Sequence, residues 1–191
     1  MIKVLLGSVV AAVAMMILGF IFWATPLADI AQKHVDDPAA AEVQQSLAAN
    51  LPETGSYVVP SAKTQAQTVM YGQGPISLIH YQSDGYPTQD LGSLIGGLIL
   101  NFVVALLIGA GLIGIDRRVP DFGSRARLVV LIVLGAAGYM SLGQPIWMHF
   151  GWAHFIYAFI ANTIILAAGG LIIARWFLPV KAEKGPARKE E

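Results

Sequence analysis

The run GSLIGGLILNFVVALLIGAGLIGI, Gly92 to Ile115, holds 24 residues without one Asp, Glu, Lys or Arg. Crossing the hydrocarbon of a bilayer takes about 20 apolar residues in a helix. The run is internal, so it cannot be a leader peptide, and it is apolar on every side, so it has no face reserved for water. Three other charge-free stretches flank it: Val4 to Ala24, Leu128 to Met148, and Phe150 to Ala174. A backbone in lipid must satisfy its own hydrogen bonds, which makes each of them a helix. The expected fold is therefore an all-α membrane protein, an antiparallel bundle of four transmembrane helices with a small α+β extracytoplasmic insertion between helices 1 and 2.

Composition agrees. Hydrophobic residues make up 55 % of the 191 and charged residues 13 %, about half the charge of an ordinary soluble domain. The chain carries 12 Lys+Arg against 12 Asp+Glu and no cysteine. Disulfide scaffolds, thiolate metal sites and thiol nucleophiles are thereby excluded, and the even charge excludes a nucleic-acid binder.

The charges are segregated. Lys3 precedes the first span, and Arg117, Arg118, Arg125 and Arg127 lie between the second and third. Arg175, Lys181, Lys184, Arg188 and Lys189 end the chain, so ten of twelve basic residues fall on one side. Lys33 and Lys63 stand on the other side among Asp29, Asp36, Asp37, Glu42, Glu53, Asp84 and Asp90. The excess of basic residues marks the cytoplasmic side. Both termini are expected there, and the 67 residues from Thr25 to Leu91 outside. Aromatic residues give the same map: Phe20, Phe22 and Trp23 end the first span, and Trp147, Phe150, Trp152 and Phe155 crowd the turn between the last two, as interfacial rings do. The first span is too long for a signal-peptide core and lacks a good cleavage site, so it reads as an uncleaved anchor.

The expected layout is helix 1 over 1–24, the outer subdomain over 25–91, helix 2 over 92–115 and a basic cytoplasmic loop over 116–127. Helix 3 over 128–148, an outer turn over 149–152, helix 4 over 153–178 and a cytoplasmic tail over 179–191 complete it. In the insertion, Asp37 as cap and Pro38 as first residue start a helix that ends near Ala49. Ser56–Val59 and Ile76–Tyr81 read as two strands of a hairpin, with the polar stretch Ser61 to Gln73 as its long loop. The pentapeptide Leu51-Pro52-Glu53-Thr54-Gly55 matches a sortase sorting signal. It lies far from a C-terminal sorting position and is read as a helix-to-strand turn.

No carboxylate lies in any span, which argues against transport coupled to buried acids, and phosphate-binding loops and hydrolase motifs are missing. The polar residues within the spans are the remaining candidates. Asn101, Ser141 and Asn162 fall at similar depths, roughly 10–13 Å from the outer ends at 1.5 Å per residue. They read as interhelical hydrogen bonding, with a polar binding or permeation site as the alternative. Pro145 should kink the third helix and free a carbonyl. His149 and His154 flank the outer turn and could together hold zinc, copper or haem iron. Five residues apart they do not share a helix face, and two ligands are too few, so neither metal nor cofactor is expected.

The chain resembles a group of small, uncharacterised four-helix bacterial inner-membrane proteins. The resemblance lies in the apolar opening helix ending Phe22-Trp23, the run Leu51-Pro52-x-x-Gly55-x-Tyr57-x-x-Pro60, Gly74-Pro75 before a strand, and the glycine-rich last helix. It implies the bacterial inner membrane and carries no activity or functional residue with it. The function expected is a structural or accessory component, not an enzyme, whose periplasmic subdomain binds a partner. A small oligomeric transporter or channel using Asn101 and Asn162, and a redox protein using His149 and His154, are the alternatives. The partners expected are the lipid bilayer, a membrane or periplasmic protein, and a second copy of the chain.

Overall fold

The computed structural model describes residues 2–178. The basic tail, with Lys181, Lys184, Arg188 and Lys189, lies outside the described residues. The chain divides into two compact units, one comprising residues 34–90 and the other the segments on either side.

The larger unit contains four helices long and apolar enough to cross a membrane. They are α1 (Ile2–Trp23), α4 (Leu91–Gly114), α5 (Phe122–Met148) and α6 (Trp152–Ile172), the last continued by a π turn over Ile173–Phe177. Their directions follow from paired contacts. Val4 meets Gly109 while Met16 meets Gly97, so α1 and α4 are antiparallel. Met15 meets Gly169 while Phe22 meets Tyr157, so α1 and α6 are antiparallel too. Val129 against Gly170 and Gly138 against Phe159 set α5 antiparallel to α6. Helix α1 packs on both α4 and α6, and α5 packs chiefly on α6.

Small residues permit this closeness. A Cβ added at Gly109 would come 2.6 Å from Val4 Cγ1, and one at Gly169 2.5 Å from Met15 Sδ. Ala11, Ala12, Ala105, Ile173 and Ala174 fill the same half of the bundle and are buried. The π turn sits there as well. The Ile173 N–H is shared between the carbonyls of Gly169 and Gly170, and Phe177 is laid on Gly7, where a Cβ would meet its Cγ at 2.6 Å. At the other end of the bundle the Tyr157 hydroxyl donates to the Phe22 carbonyl at 2.6 Å, and the Trp23 ring stands edge-on to Tyr157 at 5.3 Å.

Helix α5 begins six residues before the expected start, because Asp121 caps it: its carboxylate accepts from the Ser124 N–H at 2.8 Å. That bond and a second from the Ser124 side chain hold the Asp121 carboxyl below its ordinary pKa. The expected loop 116–127 is therefore half helix. The helix runs unbroken through Pro145, which is buried.

The unit of residues 34–90 has the order α2 (Asp37–Asn50), β1 (Gly55–Val59), α3 (Gln65–Gln73), β2 (Ser77–Tyr81). Helix α2 appears where expected, but its cap is Asp36, one residue early, accepting from the Ala39 N–H at 3.1 Å. The two strands pair antiparallel, with Tyr57 opposite Ile79. The connection between them departs from the expected loop. It contains α3, capped by Thr64, whose hydroxyl accepts from the Gln67 N–H at 3.2 Å, and stopped by Gly74 at φ 72°, where a side chain would be strained. Thr54 of the sorting-like pentapeptide serves the turn: its hydroxyl lies 2.9 Å from that of Ser83 and accepts from the Ser83 N–H at 3.0 Å.

Candidate functional site

Helices α1, α4 and α6 enclose a groove of about 420 Å³ in the half of the bundle away from the close-packed glycines. Asn101 reaches it from α4 and Asn162 from α6; Met15, Met16, Gly19 and Phe20 line it from α1. The groove exists because the α1 sequence changes character. Gly7, Ser8, Ala11 and Ala12 are buried, whereas at Gly19 an added Cβ would meet nothing within 4 Å. Leu94 and Phe20, both exposed, form its rim, so it opens sideways.

The two carboxamides share this groove without satisfying each other. The Asn101 Nδ2 points at the Met16 sulfur at 4.0 Å, a weak acceptor. Among the described residues the Asn162 side chain has no hydrogen-bond partner. Ser141 is not with them. It belongs to a buried stripe of α5 at steps of four, namely Arg125, Val129, Val133, Ala137, Ser141 and Pro145. The expected three-residue layer is thus one shared groove for two residues and a separate packing face for the third.

Two further polar groups emerge that the sequence reading passed over. Thr163 follows Asn162, and its hydroxyl is buried without a partner among the described residues. A hydroxyl desolvated in this way gains nothing over a methyl group. Thr163→Val is accordingly expected to melt at or above the wild-type temperature, in a detergent unfolding experiment read by circular dichroism. A clear drop would mean that the hydroxyl has a partner.

The second is Arg125, which the sequence places in a cytoplasmic loop and the structure places inside α5. It is 1 % exposed, and its Nε donates to the Val119 carbonyl at 2.8 Å. Helix α5 therefore includes Arg125 in its first turn, ahead of the expected start of the third span. The four-residue stripe was the available signal: continued back from Val129, it lands on Arg125. Nearby, Arg175 of the π turn lies over the Phe122 ring, 5.4 Å from its centroid, joining the end of α6 to the start of α5.

His149 and His154 are separated in role. His149 terminates α5 in the left-handed region at φ 59° and is exposed. His154 sits in the first turn of α6, its ring centroid 5.1 Å from Phe155 and 6.0 Å from Trp23. Among the described residues no three His, Asp or Glu side chains gather as a metal set.

The unit of residues 34–90 offers a second concavity, a cleft of about 1140 Å³ between α2 and β2. Val43, Leu47 and Ala48 line it from the helix and Ile79 and Tyr81 from the strand. Not one residue from 34 to 90 is buried. No family model, curated protein or solved structure matches the chain.

Proposed function

We propose that the chain is a non-enzymatic, multi-pass protein of the bacterial inner membrane, with both termini cytoplasmic, whose periplasmic insertion docks a protein partner. The observation that carries this reading is the insertion's lack of any buried residue combined with a cleft in which Val43, Leu47 and Ile79 stand among polar residues such as Gln44, His80 and Gln82. Two strands and two short helices gain their order by burying apolar surface. Here Val43 remains 56 % exposed on the cleft, so a partner that covers α2 and β2 supplies burial the unit lacks. The basic residues on the opposite flanks support the orientation, and the resemblance to bacterial inner-membrane proteins supports the compartment.

The absence of cysteine makes a direct test available. Single-cysteine variants Val43→Cys, Lys63→Cys and Arg117→Cys are reacted with a membrane-impermeant maleimide in spheroplasts and after purification. The outer Lys63→Cys is expected to react in intact spheroplasts, and Arg117→Cys only after lysis. Val43→Cys is expected to react at least ten-fold more slowly in the native membrane than when purified, with Lys63→Cys unchanged. Equal Val43→Cys rates in both settings would leave the cleft uncovered and end the docking reading. Labelling of Arg117→Cys from outside would invert the topology.

A further inference from the structure

We infer that the groove between α1, α4 and α6 is a binding site, opening into the bilayer, for a neutral lipid-soluble molecule with a planar carbonyl-bearing ring, the chemistry of a lipid quinone. The inference rests on reading the four helices as membrane spans and is independent of the partner assigned to the insertion.

Asn101 stands ten residues from the start of α4 and Asn162 ten from the start of α6. At 1.5 Å per residue each is about 15 Å deep, the middle of a hydrocarbon layer of about 30 Å. Carboxamides placed there need hydrogen-bond partners. Asn101 has only the Met16 sulfur at 4.0 Å, and Asn162 has no partner among the described residues. The groove is otherwise apolar, and a volume of about 420 Å³ with a few convergent polar groups is characteristic of small-molecule sites.

Three features select the occupant. No charged side chain lines the groove, so a phosphate or carboxylate headgroup would find no counter-charge. The depth excludes the ester carbonyls of glycerolipids, which stay near the membrane surface while only their chains reach the middle. Beside the carboxamides the groove is lined by Met16, whose sulfur Asn101 points at, and by the ring of Phe20, and thioether sulfur packs favourably on aromatic rings. A neutral ring whose carbonyl oxygens accept from the Asn Nδ2–H groups, with an apolar tail leaving past Phe20, matches all three. Phe20 is 61 % exposed at the rim, so the exit faces lipid.

The full chain, purified in mild detergent, is incubated with decylubiquinone and passed over a sizing column, and the retained quinone is measured against a protein-free micelle blank. About one equivalent is expected to stay with the wild type, and at least ten-fold less with Asn101→Leu or Asn162→Leu. Gly19→Leu keeps both carboxamides and has room for its side chain at the helix surface. It should retain its melting temperature and lose quinone to the same degree, because it fills the groove. Gln144→Leu, on α5 and outside the groove, should retain as much as the wild type. Wild-type retention at the blank level, or a Gly19→Leu variant that binds normally, overturns the site. High-yield self-crosslinking of a Phe20→Cys variant that decylubiquinone does not suppress would show that a second copy covers the groove, and would overturn it as well.

Discussion

Gly170→Val is expected to destabilise the bundle by about 3 kcal/mol, the upper end of ordinary overpacking. Gly170 lies where α6 meets α5 and α4. A Cβ there would stand 2.6 Å from Val129 Cγ1 and 3.3 Å from Ile108 Cγ2. Val129 is itself buried in the stripe of α5 and belongs to the core cluster, and with Ile108 it also lines a groove of about 340 Å³ between α4 and α5. The added methyls must therefore turn Val129 toward that groove or push α5 and α6 apart. The measurement is reversible unfolding in mixed micelles of rising denaturing-detergent fraction, followed by circular dichroism. Gly135→Ala is the control: it is on α5, but its added Cβ meets nothing within 4 Å. Alanine favours helix over glycine by up to about 1 kcal/mol, so that variant should be neutral or slightly more stable. Pairing Gly170→Ala with Val129→Ala should cost less than the sum of the two singles, because each relieves the other's misfit. Wild-type stability for Gly170→Val would mean that α5 and α6 do not touch as described.

Arg125→Met is expected to cost about 2 kcal/mol, the value of a buried hydrogen bond from a charged donor plus the carbonyl it leaves behind. Methionine preserves the length of the apolar stem, so the loss isolates the guanidinium. The Val119 carbonyl that Nε reaches lies in the short connection between α4 and α5, so the same substitution should expose that connection to protease. Arg125→Lys should recover little, since an ammonium at the end of a flexible chain cannot donate from the Nε position. Arg127→Met, exposed two residues later, should change stability by no more than a few tenths of a kcal/mol. Equal behaviour of the two variants would remove the special role of Arg125.

The long elements were legible because the constraints on them are local. A charge-free run of twenty residues has one way to satisfy its backbone in hydrocarbon, and apart from the start of α5 the observed helices start and stop within a few residues of the runs. Strands β1 and β2 were legible from β-branched and aromatic residues between turn formers, and α2 from its Asp-Asp-Pro start. That start is degenerate, with two aspartates before one proline, and backbone geometry selected Asp36 as the cap. Helix α3 was missed for a different reason. Its residues Gln65 to Gln73 bury nothing and carry only a short apolar stripe, Ala66, Val69 and Met70, so the sign of it was that stripe between the Thr64 cap and the Gly74 stop. Arg125 was expected in a loop because charge was read as marking the end of a helix, while an Asp121 cap starts α5 ahead of it.

By itself the sequence determined how many apolar helices there are, the depth of each polar residue along them, and which flanks are basic. Those are one-dimensional quantities, set by the rise per residue and by the chemistry of each side chain. The tertiary structure alone decided which polar residues meet. Asn101, Ser141 and Asn162 have comparable depths, yet two enter one groove and the third lies on a packing stripe. Depth does not specify the direction in which a side chain leaves its helix, and helices that are apolar on every side have no moment to orient them. Orientation was set by where glycine lets neighbours close, at Gly109, Gly169 and Gly170, and by where Gly19 leaves them apart.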